Sequence, residues 1–296
     1  MDNIRGSALM VAAMLGFAFE DMFIKLIADA LHVGEILILL GGAGGIVFAI
    51  LARAYGDTLW SRDLLQPAVL IRNAGEVIGT LGFVTAIALT PISSASAILQ
   101  ATPLAVTIGA ALFLGETVGW RRWLAVCIGL LGVLLVLRPG LDGFDANSLF
   151  AVQGVIGLAI RDLATRRVPA GVTSRQLATY AFLILVPTGA AVMLVTGTPM
   201  VMPEPINIAL LTGAVIVGVA AYYMLVAATR IGQLSLIAPF RYTRLVFALT
   251  IGFVVFDENP DALTLLGAAI IVTSGIYTLW REARLRRTSL ASKPAL

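Results

Sequence analysis

Eight charged side chains fall well inside apolar runs of this 296-residue chain: the acids Glu20, Asp21, Glu76 and Asp162, and the bases Arg72, Arg161, Arg241 and Arg244. An isolated charge at the centre of a membrane span costs about 2.5–3.5 kcal/mol on insertion scales, so such groups pair with one another or face a polar cavity. Asp21 and Lys25 are four residues apart, as are Arg72 and Glu76, and that spacing puts each pair on one helix face. Arg161 and Asp162 are sequence neighbours, expected on different faces and therefore in need of other partners. Pro239-Phe-Arg-Tyr-Thr-Arg244 places Arg241 and Arg244 three apart on one face near the middle of their run. Proline there removes a backbone hydrogen bond and frees a carbonyl to face a cavity.

A planar guanidinium matches a carboxylate through two parallel hydrogen bonds. Either arginine can therefore hold the carboxylate of an amino acid, or else pair with Glu76, Glu20 or Asp162 and tie the bundle together. Glu76 shares a stripe with Asn73 and Thr80 and suits a substrate ammonium or a proton, with neutralisation of Arg72 as the plain alternative. Gln100-Ala-Thr-Pro103 gives another run a similar polar, proline-interrupted centre. Phe17, Tyr222, Tyr223 and Tyr242 are candidates for an aromatic cavity wall, or for ordinary packing. With Glu20, these residues make up the candidate substrate-binding set.

Other chemistries are poorly served. Cys127 is the only cysteine and His32 the only histidine, which leaves no disulfide framework, metal-ligand set or Ser-His-Asp triad. No GxxxxGK[ST] phosphate loop occurs, so the chain does not itself hydrolyse ATP, and no cofactor is implied. The net charge of +3 gives no reason to expect a nucleic-acid partner.

The elements that must position the charges are membrane helices. The chain is 59% apolar and 12% charged, against about half apolar and a quarter charged in soluble domains. Ten stretches reach the ~20 apolar residues a span needs: 6–27, 33–53, 68–89, 92–114, 121–138, 147–166, 175–196, 206–228, 232–256 and 261–281. The first carries Glu20, Asp21 and Lys25 and lacks a small-residue cleavage site, so it is expected as a retained span. With the N-terminus in the cytoplasm, inner segments hold Arg5, Arg53, Arg62, Arg121, Arg122, Arg166, Arg167, Arg175, Arg230, Arg281, Arg284, Arg286, Arg287 and Lys293. Outer segments hold only Lys25 and Arg138, a bias that places both termini in the cytoplasm. The last 16 residues are expected as a basic, mostly disordered tail against anionic lipid.

The chain also repeats itself. Gly16-Phe-Ala-Phe-Glu-Asp21 returns as Gly157-Leu-Ala-Ile-Arg-Asp162, with Lys25 matched by Arg166. Ala88-Leu-Thr-Pro-Ile corresponds to Ala228-Thr-Arg-Ile, and Leu114-Gly-Glu116 to Phe256-Asp-Glu258. Three matches at offsets of 139–142 argue against chance resemblance of short apolar words. Five spans being odd, the second copy would run oppositely through the membrane, the inverted-repeat architecture of secondary transporters. The expected units are 1–140 (spans 1–5), 141–285 (spans 6–10) and a cytoplasmic tail, 286–296.

Two such halves, each with an acidic turn (Glu116, Glu258) before a glycine-rich final helix (Gly129-Leu-Leu-Gly132; Gly267 to Gly275), resemble the EamA-type drug/metabolite transporter superfamily. The chain looks most like bacterial amino-acid exporters of the YddG type. That resemblance implies a multi-pass protein of the bacterial inner membrane that exports amino acids, aromatic ones included, by alternating access. A drug, nucleotide-sugar or other metabolite carrier is the competing reading within the superfamily. An intramembrane lipid-acting enzyme, short of nucleophile–base pairs, and a channel are the readings outside it. Without a soluble domain, the carrier is expected to work as a monomer in the bilayer.

Overall fold

The computed structural model describes residues 2–140, 144–231 and 237–291. Among these there is no strand: the protein is all-α, and ten helical stretches are long and apolar enough to cross a membrane. They lie within a few residues of the expected bounds. In chain order the helices are α1 (Asp2–Ala28), α2 (Val33–Ala54), α3 (Pro67–Leu89), α4 (Ile92–Leu99), α5 (Thr102–Phe113) and α6 (Trp120–Leu137). There follow α7 (Leu149–Thr165), α8 (Ser174–Leu183), α9 (Leu185–Thr196), α10 (Pro205–Ile231), α11 (Thr243–Phe256) and α12 (Ala262–Ala291).

Three spans are interrupted. The fourth consists of α4 and α5, which meet at Gln100-Ala101 just before Pro103, and the seventh consists of α8 and α9, which meet at Ile184 just before Pro187. The ninth begins with the 3-10 segment Ala238–Tyr242, which contains Pro239, and continues as α11. Residues 232–236, expected at its start, lie outside the described residues. Proline supplies no N–H and clashes with the preceding turn, so each break follows from composition. The expected disordered tail differs from what is found: α12 continues as a helix to Ala291.

The helices pack in a regular scheme. Span 1 lies along span 8, span 3 along span 6, span 2 along span 7, span 5 along span 10, and α4 against α11. The first four seams are lined by glycine. A Cβ at Gly75 would sit 2.6 Å from the backbone nitrogen of Arg161, one at Gly82 would sit 2.7 Å from that of Gly154, and Gly34 faces Gly189. Gly132 meets Gly267, and Gly16 meets Ala221. Small residues let backbones approach closely where lipid provides no hydrophobic driving force. Between the seams Ile27, Leu37, Ile87, Ile98, Leu104 and Ile271 form a continuous apolar core. The outside is apolar as well: Leu194 and Val195 are more than four-fifths exposed, and Phe113 and Phe253 more than three-fifths. Such a surface suits a bilayer and not water.

Candidate functional site

Glycine packing assembles the central charges. Because Gly75 lets α3 touch α7 backbone to backbone, Glu76 reaches across the seam to Arg161 at 3.3 Å. Glu76 also pairs with Arg72 at 3.3 Å, as the four-residue spacing leads one to expect, and accepts a hydrogen bond from Thr80 at 3.2 Å. Arg72 in turn donates to Asn73 Oδ1 (3.2 Å) and to the carbonyl of Leu177 on α8 (3.4 Å). Arg161 donates to Asp162 at 2.9 Å. The expectation that these sequence neighbours need other partners holds for Arg161, which takes Glu76, and is corrected in that the two also pair with each other, since the arginine chain is long enough to fold back over the next residue. Tyr222 stands edge-on to Phe48, ring centroids 5.0 Å apart, and donates to the carbonyl of Ser174 at 3.3 Å.

Exposure rises in one direction through this cluster. The side chain of Arg72 is 8% exposed, Glu76 12%, Arg161 25% and Asp162 30%. Arg241 is exposed outright, engages no ion pair among the described residues, and lies near enough to interact electrostatically with Asp162. Its backbone carbonyl receives the Gln100 amide at 3.4 Å, so the breaks in spans 4 and 9 face one another. The network therefore opens towards the junction of spans 4, 6 and 9, and among the described residues Arg241 is its cation without an ion pair.

Arg244 behaves differently. It holds Asp21 bidentately, with N–O distances of 2.7–3.1 Å, while its guanidinium lies 5.4 Å from the ring centre of Phe17 and 5.2 Å from that of Phe83. This corrects two expectations. Asp21 does not take Lys25, and Arg244 takes none of Glu76, Glu20 or Asp162. A bidentate fork gives Asp21 two bonds where an ammonium would give one. Lys25, a turn further on, instead donates to the carbonyls of Ile87 (3.1 Å) and Thr90 (2.7 Å) at the open C-terminal end of α3.

Of the remaining candidates, three stand apart from the cluster. Glu20 lies on the α1 face that meets α10, against Gly218. Tyr223 is 63% exposed on the surface of the bundle. Tyr242 is buried against Gly275 of span 10, its hydroxyl without a hydrogen-bond partner, and so packs the wall from behind. The structure also adds a contact that sequence reasoning missed. The carboxylate of Glu258, after span 9, accepts the backbone N–H groups of Ile92 (2.7 Å) and Ser93 (3.0 Å) and the Ser93 hydroxyl (2.6 Å), capping α4 from the other half. Its counterpart Glu116 pairs with Arg166 at 2.7 Å at the opposite end.

Both ends carry further clamps in the loops. Arg138 binds Asp261, whose carboxyl is held down at about 2 by that hydrogen bond and by Thr264. A cavity of about 490 Å³ lies beside this pair, lined among others by Ser93, Ser94, Asp145, Glu258 and Asn259. At the other end Arg175 grips Asp57 through bonds of 2.6 and 3.2 Å, with Thr173 adding one of 3.0 Å; the arginine keeps the Asp57 carboxyl below the usual aspartate range. Among the described residues no group of three or more His, Cys, Asp or Glu side chains is placed to hold a metal ion.

The model of the EamA-like transporter family matches twice, over residues 4–138 and 147–280. The S-adenosylmethionine uptake transporter of Rickettsia conorii is 23% identical over 282 residues, 95% of this chain and 94% of that protein. The riboflavin transporter of Vibrio cholerae is 30% identical over 199 residues, 67% of this chain and 66% of its own. The pseudopaline exporter of Pseudomonas aeruginosa is 26% identical over 279 residues, 91% and 95% of the two chains. A crystal structure superimposes with a TM-score of 0.58 at 20% identity, covering 93% of this chain and 98% of its own, and supports the fold. None of these three relatives is named for amino-acid export. A multi-pass bacterial membrane protein of ten spans, the chain belongs to the EamA-like transporter family.

Proposed function

We propose that the protein is a secondary carrier for small metabolites with an α-amino-acid head, moving them out of the cell by alternating access between two inverted halves. The observation that carries the substrate assignment is Arg241, a cation in the ninth span with no ion pair among the described residues, at the exposed edge of a network whose other charges are matched. A carboxylate completes that network, and Asp162 and Gln100 beside it can receive an ammonium. S-adenosylmethionine, named for the Rickettsia relative, carries such a head, whereas riboflavin, named for the Vibrio relative, does not. The inverted repeat is supported by the packing scheme, because shifting every span by five exchanges the 1–8 seam with the 3–6 seam and leaves 2–7, 5–10 and 4–9 unchanged.

The test is counterflow in proteoliposomes with labelled amino acids and S-adenosylmethionine, parent beside Arg241→Gln. Saturable exchange is expected, with KM raised about 10–100-fold in the variant, the worth of a charge-assisted hydrogen bond of about 1.5–3 kcal/mol. The methyl ester of a transported amino acid should exchange as poorly with the parent. Equal exchange of acid and ester would overturn the carboxylate reading. Absence of exchange for every compound bearing a carboxylate would overturn the amino-acid reading.

A further inference from the structure

Glu20 is the one carboxylate in the middle of a span that makes neither an ion pair nor a hydrogen bond among the described residues. Asp21 is held by Arg244, Glu76 by Arg72 and Arg161, and Asp162 by Arg161. The carboxyl of Glu20 is received by Gly218 on α10: a Cβ there would lie 2.7 Å from Glu20 Cδ, so an added methyl would displace the carboxyl. The charged groups around it are few. On its own helix Asp21 adjoins it and Lys25 is engaged with the carbonyls that end α3. From α11 Arg244 acts on it electrostatically. On α10 Tyr222 is turned to Ser174 and Tyr223 to the surface; on α3 Arg72 and Glu76 satisfy each other. On α2 Glu35 receives the N–H of Val201 at 3.2 Å.

Arg244 thus bonds one of two adjacent carboxylates, Asp21, and acts on the other only electrostatically. We propose that Glu20 is the proton-binding site that couples transport to a proton gradient, by deciding whether Arg244 remains on Asp21. With a proton on Glu20, Asp21 is the only anion in reach and the bidentate pair persists. Release of that proton to solution leaves two anions competing for one guanidinium. Arg244 then shifts towards Glu20 and loosens the tie between spans 1 and 9. Arg241 lies three residues before Arg244 on the same broken span, so its position follows. Substrate bound at Arg241 and proton bound at Glu20 are in this way linked through one element that both bias, which is what coupling requires. The inference rests on the carrier reading for its consequence; the proton site itself is testable without any substrate.

The decisive experiment joins an infrared measurement to a transport one on the same proteoliposomes. Acid-minus-alkaline difference spectra are recorded for the parent, Glu20→Gln and Gly218→Ala, with no substrate present. The parent should show a titrating carboxyl C=O band that is missing from Glu20→Gln and displaced in Gly218→Ala, where the added methyl pushes the carboxyl from its cradle. A band unchanged in both variants would overturn the proton site, even if transport proved to be of some other compound. For an amino acid that exchanges, accumulation by the parent should rise about ten-fold for each unit of imposed pH gradient, with one proton moved per substrate. In Glu20→Gln, accumulation should ignore the gradient. Gradient-driven accumulation that persists in Glu20→Gln would overturn the coupling role while leaving the carrier reading intact.

Discussion

Removing one partner of the Asp21–Arg244 pair should cost far more than removing both. The side chain of Asp21 is 3% exposed and that of Arg244 19%, so neither charge has water to fall back on. Breaking a buried pair from one side costs about 3–5 kcal/mol, because the remaining charge is left uncompensated. For Asp21→Asn the rings of Phe17 and Phe83 still face the guanidinium, and cation–π contacts of about 0.5–2 kcal/mol soften the loss. For Arg244→Gln the carboxylate has no such support, so this variant should be the less stable. Replacing both leaves two neutral polar groups of similar shape at much lower cost. A double-mutant cycle read by denaturant unfolding of purified protein in detergent should therefore give a coupling energy of at least about 2 kcal/mol. Additivity to within about 0.5 kcal/mol would mean that the pair is a surface contact in the bilayer-embedded protein, and would refute its placement at the centre of the bundle.

Glu258→Ala removes three hydrogen bonds at the start of α4, a loss of about 1–2 kcal/mol for a charged helix cap. A cysteine at Ser94, introduced after Cys127→Ser, should then label faster with an impermeant thiol reagent; an unchanged rate would show that Glu258 does not hold that end shut. Asp261 sets a pH window. Its folded carboxyl titrates at about 2 against about 3.9 when unfolded, so the stability it contributes is complete above the unfolded value and is lost as pH falls through the folded one. The thermal stability of the parent relative to Asp261→Asn should accordingly be constant from neutral pH to about pH 5 and should vanish near pH 1, read by melting curves across that range.

Much of this architecture is legible in the sequence, because a bilayer enforces simple rules. Length and apolarity placed ten spans within a few residues, and Pro103 and Pro239 marked two of the three broken ones, while the break before Pro187 went unmarked. Arg72–Glu76 was readable because both partners lie on one helix. What was not legible is what depends on which span lies beside which. Asp21 and Lys25 have ideal local spacing, yet each takes a partner more than sixty residues away, since tertiary neighbours offered Asp21 a fork and Lys25 two open carbonyls. Arg241 and Arg244 look equivalent on a helical wheel and are not equivalent at all.

Under the proposed function, that last difference would let one short stretch both bind and switch. An arginine that is fully paired contributes to stability and not to recognition, because any ligand must first displace its partner. An arginine without a partner is costly in the middle of a span and persists where something else recovers the cost. Here the two stand three residues apart across the junction of a 3-10 segment with α11, where proline leaves the backbone free to bend. Arg244 anchors the junction to span 1 through Asp21, and Arg241 faces the opening beside Gln100 and Asp162. A ligand that pulls on Arg241 therefore pulls against the Asp21 anchor. The stiffness of that anchor, and not the affinity of Arg241 alone, should set how readily the loaded carrier turns over. An Arg244→Lys variant, with one bond to Asp21 in place of a fork, separates the two. On this argument its KM stays near that of the parent while its exchange rate changes. A change confined to KM would instead place Arg244 in contact with the substrate.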